Sequence, residues 1–299
     1  PLPCEDVCPV GAIGKAEDGR VKLDFSKCIY CGKCFRACPF STIMERSQLI
    51  NILNALKSGR KVVAMVAPSI TDQFPGKIEQ LFAALKMAGF HDIIEVALGA
   101  ELTTKHEAEE FYERMARGEK LMTSSCCPAW VLAAQRHIPD IVPMVSSTPS
   151  PMGYAGRLAR EKYPDAVNVF IGPCIAKRRE AQSDPNTDFV MTFEELGALF
   201  AALEIDVISL NAEPLAEPAT SFARNFAHSC GVTEAILEEM SEESPDPKRP
   251  KIDGKFINGL DRKAVNMLKM YAKGKLPGNF VEVMACTGGC VGGPCSLAR

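Results

Sequence analysis

Phe280-Val281-Glu282-Val283-Met284-Ala285 runs directly into Cys286-Thr287-Gly288-Gly289-Cys290, with Val291-Gly292-Gly293 after it. A short, mainly apolar run bounded by glycines reads as a buried strand, and here the cysteines open the loop at its carboxyl end. The pattern recurs upstream. Ala166 to Ile171 reads as a strand opening onto Gly172-Pro173-Cys174, and Lys61 to Ala67 as a strand ending at Pro68-Ser69. Buried strands alternating with helices imply a mostly parallel sheet, and ligands in such sheets sit beyond the carboxyl ends of the strands. Together with Cys126-Cys127-Pro128, these loops supply thiolates scattered widely in sequence. Such a set suits one large iron-sulfur cofactor held by separate loops.

The intervening segments carry helical spacing. Leu49, Ile52, Leu53 and Leu56 predict a helix from Ser47 to Ser58. Lys77 to Gly89 reads as a helix closed by Gly, Asp92 to Ala97 as a buried strand, Leu102 to Gly118 as a long amphipathic helix and Thr192 to Leu203 as another helix. Ser241 to Lys251, rich in Glu, Pro and Lys, reads as a solvated loop or linker.

With 299 residues, 46% apolar and 24% charged, the chain can bury a sizeable core, and one large domain with a small one is expected. A net charge of -3 argues against a nucleic-acid partner, whose binding face would be basic. No apolar run is long enough for a membrane span, and the start is not that of an export signal. The expected location is the cytoplasm, where thirteen cysteines are better suited to metal thiolates than to a disulfide scaffold. The N-terminal Pro1 stands inside what reads as a cysteine motif, so a cropped N-terminus is expected.

At the front, Cys28, Cys31, Cys34 and Cys38-Pro39 match the ferredoxin run C-x2-C-x2-C-x3-C-P, in which three thiolates bind one cube and the fourth serves another. Cys4-x3-Cys8-Pro9 reads as the tail of a second such run. Cys8 would then complete the cluster of Cys28, Cys31 and Cys34, leaving Cys38 to join Cys4 at a second cube that needs two further ligands. Regular spacing puts one of them at position 1, which is Pro. A four-cysteine zinc site is the alternative, but zinc pairs are normally two C-x2-C knuckles separated by a spacer. Gly11-Ala12-Ile13 and Ser41-Thr42-Ile43 hold equivalent places after each Cys-Pro, which marks an internal repeat ending near residue 47.

Adjacent side chains such as those of Cys126 and Cys127 project differently, so one of them is left over from cluster ligation. It is either a proton-carrying thiol or a small buried hydrophobe. Thr123 to Trp130 (TSSCCPAW), Gly172 to Glu180 (GPCIAKRRE) and Glu282 to Cys290 (EVMACTGGC) closely resemble the three signature segments of [FeFe]-hydrogenases. With the ferredoxin-like front, the resemblance spans essentially the whole chain.

That resemblance implies an α/β catalytic domain over residues 48–299, of two lobes with mostly parallel twisted sheets flanked by helices. A small α+β ferredoxin-like domain over residues 1–47 precedes it. It implies an H-cluster: a 4Fe-4S cubane on Cys127, Cys174, Cys286 and Cys290, bridged through Cys290 to a diiron subsite bearing CO, cyanide and a dithiolate amine. One or two additional 4Fe-4S clusters would sit in the front domain. Cys126 would pass protons to the amine, and Lys177 would donate to a cyanide. Glu107, Glu110 and Ser146 would continue the proton path, with Arg114 at its outer end. Helical spacing puts Glu107, Glu110 and Arg114 on one face, where a solvated charged face is the plain alternative. Pro68, Ser69, Ser150 and Met284 would surround the diiron ligands. His228 and Cys230 match no ligand position and are read as packing residues.

The expected activity is reversible interconversion of protons and H2. The implied partners are a ferredoxin-like electron carrier and the hydrogenase maturation proteins. Gly172, Met152 and Pro294-Cys295 depart from the prototypical motifs and put rate and catalytic bias in question. Two competing readings are an iron-sulfur assembly factor without a diiron subsite and an H2-sensing family member.

Overall fold

The computed structural model describes residues 2–242 and 250–298. The solvated loop expected over 241–251 therefore lies mostly outside the described residues, as does Pro1. In chain order the elements begin with α1 (Pro3–Asp6), β1 (Ile13–Lys15), β2 (Val21–Leu23) and α2 (Lys33–Ala37). They continue with α3 (Leu49–Lys57), β3 (Val62–Val66), α4 (Ile78–Met87), β4 (Asp92–Glu95) and α5 (Val96–Ala116). β5 (Met122–Thr123), α6 (Pro128–His137), α7 (Pro151–Lys162), β6 (Val167–Ile171) and α8 (Ala176–Ala181) follow. The last are β7 (Phe189–Met191), α9 (Phe193–Ala202), α10 (Ser221–Asn225), α11 (Gly231–Glu242), β8 (Gly254–Asn258), α12 (Arg262–Ala272) and β9 (Phe280–Met284).

The chain divides into two compact units. The first comprises Pro1–Glu45, Thr104–Thr148 and Ser229–Gly289, and the second Arg46–Thr103, Pro149–His228 and Cys290–Arg299. The fold is α/β, with parallel sheets flanked by helices. In the second unit four parallel strands run in the order β4-β3-β6-β7. β3 and β6 are central and buried along their whole length, which is why Val62 to Val66 and Val167 to Ile171 read as continuous apolar runs rather than alternating ones. Their core includes Phe82, Leu85, Phe170, Phe193 and Leu196.

The first unit holds a parallel three-stranded sheet in the order β5-β9-β8 and the separate antiparallel pair β1-β2. β9 is its centre and is buried throughout, Glu282 included. α6 anchors this unit through Trp130, which is fully buried and donates Nε1–H to the Ser124 carbonyl at 3.0 Å.

One stretch corrects the sequence reading. Val96 and Ala97, expected to end a strand, begin α5, and that helix runs without a break from Val96 rather than starting at Leu102. Gly99 lies within this helix. A Cβ at that position would stand 2.1 Å from the Pro151 carbonyl oxygen, so the glycine serves a close approach to α7 rather than ending an element. Among the described residues no helix is long and apolar enough to cross a membrane.

Candidate metal centre and acid relay

Parallel pairing fixes where the cysteines emerge. In the first unit, Ser124 extends the β5–β9 ladder by donating its N–H to the Val281 carbonyl at 3.1 Å, while its Oγ accepts the Val283 N–H at 3.1 Å. Cys126 and Cys127 follow that strand, and Cys286 follows β9, so these thiols leave the same edge of one sheet. Cys127 caps the N-terminus of α6 from an extended backbone, with Pro128 opening the helix where the missing N–H costs nothing. Cys126 is buried and Cys127 partly so.

The second unit holds Cys174 and Cys290. Cys174 follows β6, beside the 3₁₀ turn Pro68–Ile70 that follows β3. The Cys290 N–H donates to the Ala227 carbonyl at 2.7 Å, and the Cys295 N–H to the Pro173 carbonyl at 3.1 Å. A Cβ on Gly293 would lie 2.8 Å from Pro173 Cβ and 2.9 Å from the Cys290 carbonyl oxygen. That close approach packs the Cys174 and Cys290 loops together. Each unit thus brings together two of the four expected cubane cysteines.

Lys177 lies on α8 and is buried. Its ammonium donates to Ser150 Oγ at 2.8 Å and Glu180 Oε2 at 2.7 Å, and the Ser150 hydroxyl donates to the Glu180 carboxylate. Ser150 also caps α7 by accepting the Gly153 N–H. Glu180 had no role assigned from the sequence, although it lies three residues on from Lys177, on the same helical face. Ser69 is buried and its hydroxyl has no hydrogen-bond partner among the described residues. Met284 is buried at the end of β9. Gly172, a departure from the prototypical motif, stands 2.6 Å at its would-be Cβ from the Phe170 ring, which fills the space a side chain would take.

The acidic set is not a solvated face. Glu107 is fully buried, and Glu110 is enclosed by donors. Glu107 Oε1 accepts the Ser125 N–H at 3.1 Å, while Oε2 has no hydrogen-bond partner among the described residues. Burial pushes the Glu107 carboxyl up to about 8, against the Ser125 N–H and with the charge of Glu110 adding to the rise. Burial also raises Glu110, but donors outweigh it and hold this carboxyl at about 2. These donors are the Ser146 hydroxyl at 2.6 Å, the Ser147 N–H at 2.9 Å, the Thr148 hydroxyl at 2.9 Å and the Arg114 guanidinium at 2.7 Å. Arg114 is fixed in turn by the Pro143 and Val145 carbonyls, at 2.7 Å and 2.9 Å. Ser147 and Thr148 had no sequence signal, because they reach Glu110 from a distant loop.

At the front, Cys8 lies close enough to Cys28, Cys31 and Cys34 to disfavour their thiolate forms, as Cys28 does at Cys34 and Cys34 at Cys31. Burial is the larger cause and takes Cys31 up to about 12. Cys8 Sγ accepts the Ala12 N–H at 3.2 Å and Cys28 Sγ the Tyr30 N–H at 3.4 Å. Cys38 differs: the Thr42 hydroxyl at 3.1 Å and Thr42 N–H at 3.4 Å bring its thiol down to about 7. Cys4 is buried in α1, which packs on α2. None of the thirteen cysteines forms a disulfide. Among the described residues no group of three or more His, Cys, Asp or Glu has the geometry of a single-ion site.

Residues 60–294 match the family described as "Iron only hydrogenase large subunit, C-terminal domain", and residues 1–49 match an LdpA Fe-S cluster-binding domain. The periplasmic [Fe] hydrogenase large subunit of Nitratidesulfovibrio vulgaris is 31% identical over 91% of this chain and 85% of its own length. The NADP-reducing hydrogenase subunit HndD of Solidesulfovibrio fructosivorans is 28% identical over 89% of this chain, and iron hydrogenase 1 of Clostridium pasteurianum 29% over 91%. The chain spans only 55% and 64% of the length of these two. A probable cytosolic Fe-S cluster assembly factor of Nematostella vectensis is 23% identical over 92% of this chain and 79% of its own. An [FeFe]-hydrogenase structure concerned with oxygen inactivation of the H cluster superposes with a TM-score of 0.69 at 25% identity, over 83% of this chain and 84% of that one.

Proposed function

Because the chain belongs to the iron-only hydrogenase large-subunit family, we propose that it is an [FeFe]-hydrogenase interconverting protons and H2. Cys127, Cys174, Cys286 and Cys290 would hold the cubane of an H-cluster, and Cys290 would also bridge to the diiron subsite. When bound, that group would supply the redox chemistry and the iron at which H2 is made or split. The donor set fits it: cysteines at the carboxyl ends of parallel strands, and a buried Ser69 hydroxyl with no hydrogen-bond partner among the described residues. The thiols of Cys8, Cys28, Cys31 and Cys34 would hold a front 4Fe-4S cluster, for which the closeness of Cys8 to the other three is the support. Cys4 and Cys38 are proposed for a second one. Residues 1–47 would form the electron-relay domain and residues 48–299 the catalytic domain.

The observation that carries the reading is Glu107, a buried carboxyl whose Oε1 accepts the amide of Ser125, next to Cys126. With burial raising its ionisation to about 8, Glu107 is mainly neutral at pH 7, while Glu110, held at about 2, is ionised. Two carboxyls pushed in opposite directions are suited to donor and acceptor roles. Ser146, donating to Glu110 and close enough to influence Glu107, would relay between them, and Cys126 would hand the proton on. Ser146, Ser147, Arg114 and Thr148 together keep Glu110 ionised. Lys177, held by Ser150 and Glu180, would present positive charge to the anionic ligands; Pro68, Ser69, Ser150 and Met284 would pack around them.

A ferredoxin-like carrier, the maturation proteins and a cytoplasmic location belong to the same proposal. A second reading, an assembly factor lacking the diiron subsite, is favoured by the assembly factors and nuclear prelamin A recognition factors among the relatives, at 23 to 25% identity. Infrared spectra of anaerobically matured protein separate the two. Bands of metal-bound CO and cyanide are expected; their absence after competent maturation would favour the assembly-factor reading.

A further inference from the structure

Two cations tie the front thiol loop to the segments that carry Cys127 and Cys286, all within the first unit. Arg136, in the last turn of α6, donates to the Phe25 carbonyl at 2.8 Å and to the Cys28 carbonyl, and its guanidinium lies 5.8 Å from the Tyr30 ring centre. His137 adds a contact of 2.7 Å to the Lys27 carbonyl. At its other end, the same helix is capped by Cys127. Ten residues at about 1.5 Å each make α6 a spacer of about 15 Å.

Lys33 makes a second link. Two residues after Cys31, its ammonium donates to the Leu260 carbonyl, and the Leu260 N–H donates to the carbonyl of Ala285 at 3.0 Å, next to Cys286.

We propose that Lys33 and Arg136 are positioning residues that hold the front cluster against the Cys286 and Cys127 segments and raise its reduction potential by their charge. The inference rests on reading Cys8, Cys28, Cys31 and Cys34 as cluster ligands. A reduced cluster carries one more negative charge than the oxidised one, so a nearby fixed cation stabilises the reduced form. A clamp that acted only mechanically would depend on hydrogen bonds, not on charge.

The test is a redox titration of the anaerobically purified, cluster-loaded full chain with dithionite, followed by the electron paramagnetic resonance of the reduced front cluster. The neutral variants Arg136→Gln and Lys33→Gln are compared with the charge-preserving Arg136→Lys and Lys33→Arg. Each neutral variant is expected to weaken reduction about tenfold, which for one electron is about 59 mV toward lower potential. The charge-preserving variants keep the wild-type potential to within a third of that shift. Neutral variants that titrate at the wild-type potential with an intact cluster overturn the proposal, as do charge-preserving variants that move as far as the neutral ones. Wild-type protein whose reduced spectrum lacks the front cluster, with iron and sulfide to match, would instead remove the ligand assignment beneath it. Two independent sites keep the test decisive if one variant does not fold.

Discussion

Replacing Cys126 with Ala is expected to leave iron content and the infrared bands of the cofactor unchanged while H2 turnover falls at least about a hundredfold, the scale of a lost proton-transfer group. Cys126 adjoins Cys127, a proposed ligand, and follows Ser125, whose N–H meets Glu107 and whose hydroxyl donates to the Thr148 carbonyl at 2.6 Å. The backbone around position 126 is thus fixed by its neighbours, and removing one sulfur leaves the adjacent ligand in place. A variant that turns over at the wild-type rate would defeat the relay assignment. A variant that loses iron would show Cys126 to be a ligand.

Glu107→Gln is the second large effect. The amide keeps the shape of the protonated carboxyl, can still accept the Ser125 N–H and cannot exchange a proton, so turnover should again fall about a hundredfold or more. Stability should move the other way. The folded state holds Glu107 protonated up to about 8, above the ordinary carboxylate value, so its contribution is complete in acid and is lost as pH rises through about 8. Glu110, held near 2, contributes above the ordinary carboxylate range and loses its share as pH falls toward about 2. The glutamine variant therefore lacks the alkaline loss due to Glu107 and gains on the parent protein as pH rises toward 8. Denaturant unfolding at pH 5 and pH 8, alongside H2 assays, checks both halves. A variant that is inactive and also less stable than the parent at pH 8 would point to a structural role for the carboxylate.

The strands that carry the cysteine loops were legible because β3, β6 and β9 are buried on both faces and so must be apolar almost throughout. β5, two residues long, and β8, largely exposed at a sheet edge, carry no such signature and went unread. The continuous helix from Val96 was not legible because its first turns carry Gly99, whose place is set by the Pro151 carbonyl opposite, a contact made only in the folded chain. In the acidic set, spacing aligned Glu107, Glu110 and Arg114. Their burial, and the donors from Ser125, Ser146, Ser147 and Thr148, come from loops that only the folded chain brings near. Similarly, nothing in the order of residues joins Lys33 to Leu260 or Arg136 to Cys28, each more than a hundred positions apart.

The central claim is that Cys127, Cys174, Cys286 and Cys290 grip one inorganic core. An anomalous difference map at the iron edge, from crystals grown without oxygen, tests it most directly. The account predicts a compact four-iron peak bonded by those four sulfurs, with further iron adjoining Cys290. Iron bound elsewhere, with any of the four sulfurs out of bonding reach of a shared cluster, would contradict it.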